Sequence, residues 1–281
     1  MKNKTIFTLL IFFVLFNLLS SCAVKNNHYY VPSEGNVLTL SERNDLKVSA
    51  STSINDNGIS NFQIGYSPIK YVGLFGSWMY QKDGKGVYPF DFSISENSNS
   101  ANYKSVAIGG YFFKKRDTYY STLIPKKYLE QGGFLVDLYV GIGEGEFKRD
   151  YQSLRAYVDF EHKKIFGQAG FHYKFRSLGI SYIFKVGQLQ IKNVLVHGNF
   201  ITFPKNIFDE LKEDNTINTY ESTCRIEYGI REAKFNLSLT GFSNQVNIFS
   251  PQRSYFSAGV LVNVDEFFRK KGKTKSEFEK N

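Results

Sequence analysis

A chain of 281 residues has room for one large β domain or two small ones. Its formal charge of +9 does not argue for a nucleic-acid partner: much of the surplus lies in Arg269, Lys270, Lys271, Lys273, Lys275 and Lys280, and no nucleic-acid-binding module accompanies it. Twenty-three glycines, six prolines and 17% aromatic residues point to β structure, and two cysteines are too few for a disulfide framework once Cys22 is otherwise committed.

The chain opens with Lys2 and Lys4, an apolar run from Ile6 to Leu19, and then Leu19-Ser20-Ser21-Cys22. A basic start and an apolar core too short to span a bilayer comfortably predict an export signal. The four residues ending at Cys22 resemble the lipobox of bacterial lipoproteins. That resemblance implies cleavage after residue 21 and acylation of Cys22, which then anchors the chain to a membrane. The expected organisation is a signal over 1–21, a lipidated polar linker over 22–45, a β domain over 46–268 and a basic tail over 269–281. The tail is suited to anionic head groups.

From Leu46 onward the period is two. Leu46, Val48, Ala50, Thr52 and Ile54 oppose Lys47, Ser49, Ser51 and Ser53. Phe62, Ile64 and Tyr66 form the next apolar face, then Val72, Leu74, Trp78 and Tyr80, then Val106, Ile108 and Phe112. Phe134, Val136, Leu138, Val140 and Ile142 oppose Asp137, Gly141 and Gly143. Ile165, Ala169, Phe171 and Tyr173 oppose Gln168, Gly170, His172 and Lys174. Leu178 to Val186, Tyr220 to Tyr228, Phe235 to Leu239 and Phe256 to Val264 complete ten runs. Several reach the length a tilted strand needs to cross hydrocarbon.

Short connections (67–70, 175–178, 229–234) alternate with longer polar ones (81–102, 149–162, 191–218, 244–253). The connection over 114–132, with Ile124 to Tyr128 as a small docked turn, is the exception on its side. In the longest connection, Phe203, Ile207 and Leu211 have helical spacing. The expectation is an all-β, antiparallel up-and-down barrel of about ten strands in the outer membrane of a Gram-negative cell. Both barrel ends would then lie on the periplasmic side, with the anchor facing the periplasm. Alternation alone also permits a soluble sandwich or a lipocalin-like domain that binds a hydrophobic ligand.

The segment Gln63-Ile64-Gly65-Tyr66-Ser67-Pro68-Ile69-Lys70-Tyr71-Val72-Gly73, with Ile108 to Phe112 and Tyr139 to Gly143, is similar to a group of outer-membrane β-barrel lipoproteins from Bacteroidetes, of unknown function. The resemblance runs from the lipobox to the last strand. Its motifs are turn and strand glycines, so it implies architecture and transfers no chemistry. The long 114–132 connection departs from the short turn it implies.

Candidate chemistry is sparse. Of His28, His162, His172 and His197, His172 falls on a polar strand face, where Asp137 and a strand serine could complete a hydrolytic triad. The preferred reading is a lumen polar network: Asp137, His172, Lys185, Glu221, Arg225 and Glu227, with Lys47 as a companion. Gly141-Ile142-Gly143-Glu144-Gly145 lacks the full dinucleotide pattern and predicts relief of crowding in a curved sheet. Asp83, Asp91 and Glu96 lack metal-site spacing, and no cofactor is expected. The outer connections, with Tyr88, Phe90, Phe92, Phe200 and Phe203, are the expected surface for a protein or small-molecule partner.

Overall fold

The computed structural model describes residues 33–36, 38–54, 58–82, 97–115, 132–151, 156–175, 177–197, 216–244 and 254–266. The alternating runs become ten strands: β1 (Leu46–Ser53), β2 (Ser60–Tyr66), β3 (Val72–Lys82), β4 (Asn97–Lys115), β5 (Gly133–Tyr151), β6 (Ala156–Phe175), β7 (Leu178–His197), β8 (Thr216–Gly229), β9 (Ala233–Asn244) and β10 (Ser254–Asn263). Each is antiparallel to its sequence neighbours. β1 closes on β10 from Lys47↔Asn263 to Ser53↔Ser257, so the sheet is a closed up-and-down barrel with no edge. The fold read from alternation is the fold observed. The mouth formed by the turns at Ser67–Tyr71 and Ile230–Glu232 is called the lower mouth, and the opposite one the upper.

The register shows what each face meets. Val106, Ile142 and Ile165 stand side by side on the outside, as do Ile108, Val140 and Val186 one step lower. All six are exposed, Val140 and Ile165 by more than 60%, as is Leu138 next below Val140 on β5. One step above Ile142 the outer surface changes to Lys104, Glu144 and Lys163, again adjacent in the register. From Phe134 to Ile142 the apolar strip on β5 rises roughly 26 Å along the strand, which after tilt suits a membrane-spanning band. Trp78 marks the upper boundary on β3, opposite Lys104, and its indole N–H donates to Asn102 Oδ1 at 2.7 Å.

The wall is uneven: β1 and β2 have 8 and 7 residues, whereas β4 to β7 have 19 or 20. This corrects the expected connection over 149–162. β5 continues to Tyr151 and β6 begins at Ala156, pairing throughout. Above Glu144 the outward positions are charged, so Glu146, Lys148 and Glu161 point out while Phe147, Val158 and Phe160 point in. The strand persists; only the polarity of its outer face reverses. β7 likewise runs to His197 and β8 begins at Thr216, which shortens the expected 191–218 connection.

Gly141, Gly143 and Gly145 share the inner face of β5, and rings from neighbouring strands occupy the space that side chains would need. A Cβ on Gly143 would lie 2.3 Å from Tyr103 Oη and 2.8 Å from Lys104 O; one on Gly141 would lie 2.5 Å from Phe166 Cζ. The glycine series therefore makes room for lumen aromatics. Gly143→Val should lower unfolding stability by roughly 1–3 kcal/mol through overpacking, measured as a reduced urea midpoint of the refolded barrel in micelles.

The signal over 1–21, Cys22, the 116–131 connection, Asp83, Asp91 and Glu96, the aromatics Tyr88, Phe90, Phe92, Phe200 and Phe203, the 203–211 segment and the 269–281 tail lie outside the described residues. The 22–45 stretch, expected as a linker leading up to the barrel, is different. Ser33 to Asn36 and Leu38 to Leu40 are buried, and they lie inside the barrel.

Candidate functional site

Strand parity sends one side chain in every two into the lumen, and there the barrel collects its charge. The six predicted members, Asp137, His172, Lys185, Glu221, Arg225 and Glu227, are all buried. They form three groups. Glu221 lies between two ammonium groups, 2.6 Å from Lys164 Nζ and 2.9 Å from Lys185 Nζ. Arg225 donates through Nη2 to Ser49 Oγ at 2.7 Å, and Glu227 lies 3.7 Å from both Arg225 and Lys234. His172 bridges Asp137 Oδ2 at 2.9 Å through Nε2 and Ser181 Oγ at 2.8 Å through Nδ1. Lys47, the expected companion, is buried in the same lumen. It lies 3.4 Å from Asp45 and donates to Thr39 O at 2.6 Å.

Sequence reading missed Lys164, Lys234, Ser181 and the buried His162. Parity was the signal that could have found two of them: continuing the inward positions of β6 back from His172 reaches 164 and 162. His162 stacks on Tyr103 with ring centroids 5.8 Å apart. His197 stacks on Tyr157 at the upper end of β7, and His28 lies outside the described residues.

The lumen also holds the chain's own N-terminal segment. Its backbone joins no ladder, and barrel side chains take over its hydrogen bonds. The N–H of Gly35 donates to Thr223 Oγ1 at 3.1 Å, and Gln63 Nε2 donates to Gly35 O at 3.0 Å. Asn36 and Gln168 exchange two bonds, each 3.0 Å: Asn36 N–H to Gln168 Oε1, and Gln168 Nε2 to Asn36 O. Lys174 joins Lys47 on Thr39 O at 3.3 Å. Glu34 accepts from Ser51 Oγ at 2.7 Å and from Ser238 Oγ, while Lys185 donates to Ser33 Oγ. Four strands, β1, β2, β6 and β8, thus supply the partners that a buried irregular backbone requires.

On either side of Thr39, Leu38 and Leu40 are fully buried among Phe75, Ala107, Tyr111, Leu135, Tyr139, Phe166 and Leu261. Phe75 meets Tyr139 edge-on at 4.5 Å. The chain then reverses through 41–45: Asn44 adopts φ 62°, its N–H donates to Ser67 O at 2.7 Å, and Tyr111 Oη donates to Glu42 O at 3.1 Å. Above the charged level a second apolar cluster includes Met79, Tyr103, Phe147, Phe160, Leu189, Ile191 and Tyr255. Glu221 with Lys164 and Lys185 lies between the two apolar clusters, Lys185 being 5.9 Å from the Tyr103 ring and 4.7 Å from the Phe166 ring, whereas Glu227, Lys234, Lys47 and Lys174 lie near the lower mouth.

The Ser181–His172–Asp137 geometry has the connectivity of a hydrolytic relay: a carboxylate orients the imidazole, whose other nitrogen accepts from a hydroxyl. Its surroundings are those of a structural network. All three residues are at most 2% exposed, and Ser181 is held within the ladder near the lower end of β7, paired with His172 on β6 and Arg225 on β8. His172→Ala should lower stability by roughly 1–3 kcal/mol by stranding a buried carboxylate and hydroxyl, seen as a lower urea midpoint with heat-dependent gel mobility retained.

Neither a protein-family model nor a curated protein matches this chain. Among solved structures it is similar to the KdgM porin (9% identity, TM-score 0.33, covering 77% of this chain and 98% of that one). It is also similar to the KdgM porin in complex with disordered oligogalacturonate (10%, 0.31, 77% and 98%) and to LpxR from Salmonella typhimurium (9%, 0.33, 78% and 99%).

Proposed function

We propose that this chain is a lipid-anchored outer-membrane barrel, with a structural or interaction role carried by its upper connections and a lumen filled by its own N-terminal segment. The observation that carries the reading is the inside-out distribution of polarity. Leu138, Val140, Ile142 and Ile165 face outward and uncovered, while Lys164, Lys185, Glu221 and Arg225 face inward and are buried. A water-soluble barrel would place these sets the other way round. The filled lumen also weighs against a lipocalin-like ligand cavity, since Leu38, Leu40 and Glu34 occupy the space a ligand would take.

The test replaces residues 1–22 with an export signal that carries no lipobox. Without the acyl chain, the barrel should stay in the outer-membrane pellet through an alkaline wash and show heat-dependent gel mobility. Release as a folded soluble protein would refute the membrane-spanning reading and restore the ligand-binding alternative.

A hydrolase is the second reading, favoured by the Ser181–His172–Asp137 contacts. It predicts an ester-cleaving activity abolished by Ser181→Ala. The same turnover in that variant as in the parent protein would end it.

A further inference from the structure

The direction of the lumen segment fixes which mouth the preceding chain must use. Leu40 leads into the 41–45 reversal at the lower mouth, and β1 then rises from Leu46. Read backwards from Leu40, the segment therefore climbs. Thr39 lies at Lys47, the second residue of β1, whereas Glu34 lies at Ser51, two residues below its upper end. Because β1, β2 and β10 form the low wall, Glu34 stands close to that rim. Below it the path is closed: Leu38 and Leu40 fill the ring around Tyr139 and Leu135, and the 41–45 reversal is bonded to Ser67 and Tyr111. A second strand of chain descending beside the first would have to displace these packed residues.

We infer that the chain before Ser33 leaves the barrel through the upper mouth, so that Cys22 and its acyl chains belong to the leaflet on the side of the long connections. Residues 22–32 extend at most roughly 40 Å, enough to pass the low rim and reach that leaflet. The two termini then lie on opposite faces, because β10 ends beside the lower mouth, where Asn263 N–H donates to Glu232 O at 2.8 Å. In an outer membrane this makes the protein a surface-anchored lipoprotein, and it reverses the periplasmic anchor expected from the even strand count. The inference rests on the membrane-barrel reading above, and its partner is outer-leaflet lipid.

The experiment uses the full-length protein in a Gram-negative host with two epitope insertions, one between Lys25 and Asn26 and one between Gly272 and Lys273. Antibody on intact cells should label the first and not the second, which should appear only after permeabilisation. Trypsin on intact cells carrying the unaltered protein should also release a new N-terminus at Asn26, a readout that does not depend on the insertions. An N-terminal site hidden until permeabilisation, or two sites that behave alike, overturns the threading. Metabolic labelling with an alkyne fatty acid keeps the two readings apart. A displayed N-terminus without label removes the anchor and leaves the threading standing. Loss of heat-dependent mobility in the unaltered protein would remove the barrel reading itself.

Discussion

Glu221→Ala should be the most damaging single substitution in the lumen, lowering stability by roughly 3–5 kcal/mol. The carboxylate serves two fully desolvated ammonium groups, with Lys164 Nζ at 2.6 Å and Lys185 Nζ at 2.9 Å, and both lysines are nearly inaccessible. Removing it takes away the carboxylate that both buried ammonium groups contact. The cost comes from the stranded cations more than from the lost attraction. A control separates these contributions. Replacing all three residues with apolar side chains of similar volume (Lys164→Met, Lys185→Met, Glu221→Leu) should recover most of the loss, because no charge is then left buried. Urea unfolding in micelles, followed by tryptophan fluorescence of Trp78 and by gel mobility, measures both. A single variant as stable as the parent would mean that water reaches this part of the lumen.

The strands that cross the apolar band were legible because each alternates between an exposed apolar outer face and a polar lumen face. Val106, Ile142 and Ile165 sit where their parity put them, and the six candidate lumen residues all face inward by the same rule. Two features were not legible, for different physical reasons. Above Glu144 the wall leaves the apolar band, so the outward positions of β5 and β6 turn polar while Phe147, Val158 and Phe160 face inward, and the alternation inverts while the ladder continues. The segment Ser33-Glu34-Gly35-Asn36, read locally, is a polar linker. Nothing in its own pattern announces burial, because every bond that holds it comes from side chains far away in sequence: Ser51, Gln63, Gln168, Thr223 and Ser238. A buried irregular backbone can be recognised only once its partners are in place.

The same dependence makes the segment testable through its two apolar residues. The double variant Leu38→Ala/Leu40→Ala should destabilise the barrel by roughly 4–8 kcal/mol, the sum of two core leucine truncations at about 2–4 kcal/mol each. Both side chains are fully buried, and their ring includes Tyr139 and Phe75, whose edge-on packing leaves little freedom to collapse into the vacated space. The hydrogen bonds to Thr39 and Asn36 lie between or beside the leucines, so loosening the apolar foot should also expose Lys47 and Lys174 to water. The local consequence can be read separately from global stability. Amide hydrogen exchange at Gly35 and Asn36 should rise steeply in the double variant while exchange in β5 and β6 changes little. If the urea midpoint and the exchange at these two amides both match the parent, the segment does not occupy the lumen in solution, and the upward exit inferred from its direction falls with it.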